Sequence, residues 1–169
     1  MLESDLKRAN RTLVLWFTLP LGALVATVSL VGLIVPELYI KETPDWALQS
    51  AAQDAVDLFL ILPVLVLSGL YTFRGERLAA SVWAGTLIYL VYTFVIYCFD
   101  VQFNSLFLAY VAILGLATYA MVHALRNLLY QAPPGPSLAL PARLLGAYLL
   151  IVAAMFYLLW LGDIIPAIA

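Results

Sequence analysis

Five apolar runs, at roughly 12–35, 56–73, 78–99, 106–125 and 142–162, follow one another with only short polar joints between them. Each is near the ~20 residues a helix needs to cross a ~30 Å hydrocarbon layer. The pattern predicts an all-α fold: a polytopic transmembrane helical bundle of five spans, with the lipid bilayer as its first partner. Hydrophobic residues make up 65% of the chain and charged ones 11%, against roughly 25% charged usage in soluble domains. A soluble globule is excluded. The joints are too short for an extramembrane domain, so residues 1–169 read as one transmembrane domain whose chemistry lies in the bundle or at its rims.

Charge supplies an orientation. When the joints are numbered alternately, one side carries Lys7, Arg8, Arg11, Arg74, Arg77, Arg126 and Arg143, and the other only Lys41 of the 8 cations. Loops rich in Lys and Arg stay in the cytoplasm, which puts the N-terminus inside and the C-terminus outside. Among the acids, Glu3, Asp5 and Glu76 fall inside, while Glu37, Glu42, Asp45, Asp54, Asp57, Asp100 and Asp163 fall at or beyond the outer rim. The net charge of -2 and the lack of any basic cluster beyond Lys7, Arg8 and Arg11 exclude nucleic acid as a partner. The first run is longer than the apolar core of a signal peptide and has no small-residue cleavage pattern before Pro36, so it reads as a retained anchor. Cys98, the single cysteine, has no partner for an internal disulfide and reads as a small apolar residue.

Local signals organise the spans. Thr18, Gly22 and Ala26, with Ser29 on the same side, form a small-residue stripe that lets a neighbouring backbone approach, and Pro20 is expected to bend the helix near its start. Thr43 followed by Pro44 reads as an N-cap with proline at the first helical position. A helix running from there to Phe73 would exceed the hydrocarbon thickness, with the turns around Trp46 and Gln49 projecting from it. Pro63 falls mid-membrane, where a kink is expected. Arg74-Gly75-Glu76-Arg77 and Asp100 to Asn104 force antiparallel hairpins, making contact among spans two, three and four the safest expectation. The joint holding Pro133, Pro134, Gly135, Pro136 and Pro141 is a stiff linker. No internal repeat is present, which argues against a self-contained secondary transporter.

The residues that could carry function cluster at the expected outer rim. Ser50, Asp54 and Asp57 share a face of the second span, and Ser68 continues it inward. Two carboxylates at i, i+3 repel unless they are hydrated or share a cation or proton. On the third span Thr86, Tyr89, Thr93, Tyr97 and Asp100 form a polar stripe. The hairpin brings the two together, predicting a ligand-binding pocket of Asp54, Asp57, Tyr89, Thr93, Tyr97, Asp100 and Asn104. The competing reading has the aspartates solvated at headgroup level, the tyrosines in an aromatic belt, and Tyr89 and Thr93 bonding between helices. His123, which shares a face with Tyr119 and Arg126, reads as interfacial or capping. One histidine cannot provide two axial haem ligands, and no spacing suggests zinc or iron–sulfur. A metal, if any, would be a hard cation on carboxylates, and no cofactor is specified.

No catalytic motif is present. Leu161-Gly162-Asp163 with Pro166-Ala167 departs from the intramembrane aspartyl protease pattern at Trp160, and phosphate-loop, nucleophile-elbow and zincin patterns are missing. Gln53-Asp54, Pro63, Arg74-Gly75, Trp83-x-Gly85, Tyr89-x-x-Tyr92, Tyr97 and Asn104-x-Leu106-Phe107-Leu108-x-Tyr110 resemble a group of small prokaryotic polytopic membrane proteins without an established activity. The resemblance covers spans two to four and implies the membrane class and a prokaryotic inner membrane only. The leading expectation is a non-enzymatic membrane protein whose outward-facing acidic and tyrosine-lined pocket binds a cation or small polar ligand, in transport, sensing or an accessory role. The alternatives are a structural or assembly subunit of a larger complex and a carboxylate-based intramembrane enzyme. Five spans enclose little volume, which favours a homo-oligomer or other membrane subunits as partners.

Overall fold

The computed structural model describes residues 2–130 and, beyond them, scattered helical positions between 147 and 165. The expected fifth span, 142–162, and the proline-rich joint before it therefore lie largely outside the described residues. The chain divides into a unit of residues 1–131 and a second of 132–169, and the helices named below belong to the first. Among the described residues the fold is all-α, with four helices long and apolar enough to cross a membrane.

Helix α1 spans Leu2–Ile34, apolar from Thr12 onward. Pro20 has no N–H to offer the Trp16 carbonyl, yet the helix continues through it. A 3-10 turn, Pro36–Tyr39, follows, held by Leu38 N–H on Val35 O at 3.0 Å. It turns Tyr39 inward, leaving it 4% exposed. Thr43 then caps helix α2, Pro44–Val56, its Oγ1 accepting from Trp46 N–H at 3.4 Å. The next five residues, Asp57–Ile61, form a π-turn in which Leu62 N–H reaches back to Asp57 O. Helix α3, Leu62–Arg74, completes a 31-residue rod from Pro44. Pro63 explains the irregularity: without its N–H the regular ladder fails at the Leu58 and Phe59 carbonyls, and a wider turn absorbs the misfit.

Gly75 ends α3 in the left-handed region, at φ 99°. Its N–H bonds Thr72 O at 2.9 Å and Glu76 N–H bonds Tyr71 O at 3.1 Å, the paired capping pattern that glycine permits. Helix α4, Arg77–Phe99, starts two residues later, so the hairpin is tight. Helix α5, Phe107–Tyr130, follows a loop in which Asn104 Oδ1 accepts from Leu106 N–H at 2.9 Å. That loop is tied to the α1–α2 joint: Lys41 Nζ donates to Phe103 O at 3.4 Å, and Glu42 Oε1 accepts from Gln102 N–H at 2.5 Å.

The main contacts form a closed ring in which α1 packs on α3 and α5, and α4 packs on the same two. Helix α1 is thus a full member of the bundle, and the second and fourth spans are joined mainly through α1 and α4. Where helices are apolar on nearly every face, hydrophobicity does not select the partner, and close backbone approach decides which faces meet. The small-residue stripe of α1 does this. A Cβ on Gly69 would come within 2.5 Å of Thr18 Oγ1, and one on Gly22 would sit 3.5 Å from both Leu62 and Val66. Trp83, 1% exposed, donates its indole N–H to Thr18 Oγ1 at 3.0 Å. The core above it comprises Leu21, Val25, Leu65, Leu87, Leu90 and Phe94, while Trp16, Phe59, Leu108 and Tyr119 stand exposed on the outer faces.

Candidate functional site

Helical period alone places Ser50, Asp54 and Asp57 on one face of the rod, since four- and seven-residue steps return near the same angle. The bundle buries that face: Asp54 is 0% exposed and Asp57 1%. Asp54 is held by phenols from two directions. Tyr39 Oη donates to Oδ2 at 2.6 Å, and Tyr97 Oη lies 3.0 Å from Oδ1 and 3.2 Å from Ser50 O. Burial, reinforced by Tyr97 and the Asp54 charge, pushes the Tyr39 hydroxyl well above the ordinary phenol range. It therefore remains a donor across physiological pH. Gly32 makes this arrangement possible, because a Cβ there would overlap the Asp54 carboxyl group. Tyr97 and Tyr110 meet edge to face with centroids 5.0 Å apart, and Phe94 lies 5.4 Å from Tyr97, walling off Asp54.

Asp57 is one turn deeper. Its Oδ1 accepts from Gln53 Nε2 at 3.0 Å and from Tyr89 Oη at 2.9 Å, and Gln53 Nε2 also contacts Tyr89 Oη. Its Oδ2 is buried and has no hydrogen-bond partner. Tyr89 is the thirteenth of the 23 residues of α4, and Asp57 the fourteenth of the 31 in the rod. The rod outruns its neighbours at this end: Gly32, two residues before the end of α1, already lies against Asp54, so Asp57 lies about one turn inside the end of α1. The π-turn begins at this residue, a type of irregularity often found where a helix carries function.

Beside these carboxylates a cavity of about 130 Å³ opens between α2 and α4, its wall including Trp46, Ser50, Gln53, Tyr92, Thr93 and Tyr97. Gln53 and Tyr97 belong both to the cavity wall and to the carboxylate networks, so whatever enters meets the donors that hold Asp57 and Asp54. Water's share of liquid volume is about 30 Å³, so the space suits a ligand of a few heavy atoms.

The structure brings together Asp54, Asp57, Tyr89 and Tyr97, and places Thr93, 4% exposed, in the cavity wall. Asp100 is not brought in. It caps the C-terminus of α4 and is exposed, because the helical stripe that aligns it with Tyr97 ends one residue before it. Asn104 is one step removed, its Nδ2 donating to Tyr110 Oη at 3.3 Å. Sequence reasoning left out Tyr39, whose link to Asp54 crosses 15 positions and a 3-10 turn, and Gly32, whose role is the space it leaves. Gln53 had a signal: it precedes Asp57 by four residues on a helix. His123 bonds Asn127 at 2.9 Å, away from the carboxylates in sequence and contacts. Among the described residues no group of three or more His, Cys, Asp or Glu side chains is arranged for a metal ion.

Comparison with protein-family models, curated proteins and solved structures found no match. Function must therefore be argued from the site.

Proposed function

We propose that the protein is a multi-pass protein of a prokaryotic cytoplasmic membrane, N-terminus inside, that binds a small organic cation in the outward-facing cavity between α2 and α4. The observation that carries this reading is a pair of fully buried carboxylates whose hydrogen-bond donors are the neutral groups of Tyr39, Tyr97, Gln53 and Tyr89. An ionised carboxylate in a low-dielectric layer is costly unless a positive charge accompanies it. The aromatic walls Trp46, Tyr92 and Tyr97 offer π faces suited to an ammonium group, and Gln53 and Thr93 supply polar contacts. Binding there would be the recognition step of uptake or sensing.

The test is the melting temperature of the detergent-purified chain against added tetramethylammonium, with Trp46→Ala and Tyr92→Ala beside the parent. A ligand that binds only the folded state raises the melting temperature with occupancy. A saturable rise in the parent that either variant weakens supports the reading. A flat response, with a stoichiometric protein partner on native purification, would replace it with the structural-subunit alternative.

A further inference from the structure

Two side-chain oxygens among the described residues are buried without a hydrogen-bond partner, Asp57 Oδ2 and Ser29 Oγ. Ser29 is 0% exposed. They stand on different helices, and the contacts between those helices show that they share a depth. Helix α1 and the α2–α3 rod run antiparallel: Gly32 meets Asp54, Gly22 meets Leu62 and Val66, and Thr18 meets Gly69. Each step back along α1 is therefore matched by a step forward along the rod. Three residues back from Gly32 is Ser29, and three forward from Asp54 is Asp57. The register sets the two orphaned oxygens at one depth on facing helices.

The same level holds the π-turn. There Leu62 N–H donates to Asp57 O and Pro63 has no N–H to offer, so the carbonyl of Leu58, the residue after Asp57, is left without a main-chain donor. Carboxylate, hydroxyl and carbonyl oxygens are all hard donors, the set that alkali and alkaline-earth ions prefer over the softer transition metals. The number of ligands decides between the two classes. Only Asp57 has an unbonded carboxylate oxygen, because both oxygens of Asp54 are engaged by Tyr39 and Tyr97. One coordinating carboxylate with neutral oxygens suits a monovalent ion, whereas calcium takes about 6–8 oxygens with several carboxylates among them.

We infer that Ser29 Oγ, Asp57 Oδ2 and main-chain oxygen of the π-turn form a dehydrated sodium-ion site on the inner side of the organic-cation cavity. The inference rests on the proposed cation-binding reading and deepens it. The two sites connect through Gln53, whose amide bonds Asp57 and lines the cavity, so occupancy at one level fixes the donor that faces the other.

The experiment measures binding of radiolabelled sodium to the detergent-purified chain, together with melting temperature in sodium chloride against N-methylglucamine chloride at equal ionic strength. Parent, Ser29→Ala, Asp57→Asn and Trp46→Ala proteins are compared. The expected result is saturable sodium binding near one ion per chain and a sodium-dependent rise in melting temperature. Both should fall at least severalfold in Ser29→Ala and be lost in Asp57→Asn, with Trp46→Ala retaining them while losing its tetramethylammonium response. Ser29→Ala changes one buried oxygen and keeps the helix, so it tests the site even if Asp57→Asn does not fold. No sodium binding to the parent, or binding unchanged in Ser29→Ala, overturns the inference. A tetramethylammonium response that survives those outcomes leaves the cavity reading standing without an ion site.

Discussion

Tyr39 and Gly32 illustrate how single residues set the environment of a buried carboxylate. Tyr39→Phe keeps the ring and removes the donor at 2.6 Å from Asp54 Oδ2. Leaving a buried acceptor unsatisfied costs about 1–3 kcal/mol, and the denaturation midpoint in detergent should fall accordingly; an unchanged midpoint would show that Asp54 has another donor. The folded-state value of the Tyr39 hydroxyl is raised, so its contribution is complete below the unfolded phenol value near ~10 and is lost only as pH rises above it. Gly32→Ala adds a methyl group where the Asp54 carboxyl already sits, and overpacking of this kind costs about 1–3 kcal/mol. Combining it with Asp54→Ala removes the overlap, so the double variant should lose less than the sum of the singles. Strict additivity would place the Gly32 effect elsewhere.

At the level of elements, the α2–α3 rod and the contact of α1 with α3 carry the most specific consequences. The rod owes its π-turn to Pro63 and places Asp57 at the start of it. Pro63→Ala restores the missing donor, so the rod should straighten, gain stability, and rotate Asp57 relative to Ser29. The readout is paired: a higher melting temperature with weaker sodium binding is expected, and a gain in both would separate the turn from the ion. Lower in the bundle, Trp83 Nε1 donates to Thr18 Oγ1, which itself bonds Val14 O at 2.7 Å. Membrane helix-to-helix hydrogen bonds average ~0.6 kcal/mol, and Trp83→Phe should lose at least that, since the truncated ring also leaves space. Thermal aggregation of the pair measures it; a neutral result would show that packing alone positions α4 against α1.

For the molecule as a whole, the ring of four helices puts the α1–α2 joint and the α4–α5 loop at one end, where Lys41 and Glu42 tie them together. The Arg74–Arg77 hairpin lies at the other. If the cation asymmetry orients the chain as positive-inside loops do, cysteines placed at Asp45 and Gln102 in a Cys98→Ala background should react with an impermeant reagent in intact cells. One placed at Glu76 should react only after permeabilisation. Labelling of position 76 from outside would invert the orientation and turn the cavity toward the cytoplasm.

What the sequence determined by itself is whatever depends on near neighbours in the chain. Apolar run length set the four helices from Thr12 to Leu129. Thr43 with Pro44 set the start of the rod, Pro63 its irregular turn, and the helical period the common face of Ser50, Asp54 and Asp57. Period fixes angles around one helix but neither its rotation against another nor its depth. For that reason Asp100, aligned with Tyr97 on paper, lies exposed past the end of α4, while Asp57 is held by Tyr89, eight residues before Tyr97 on the same helix. Tyr39 joins the site because a 3-10 turn folds it back over Asp54, and that contact depends on how α1 and the rod pack. Tertiary structure decided these placements through the close approaches at Thr18, Gly22 and Gly32. Where small residues let two backbones meet, the register is set, and with it which buried oxygens are satisfied and which are left without a partner.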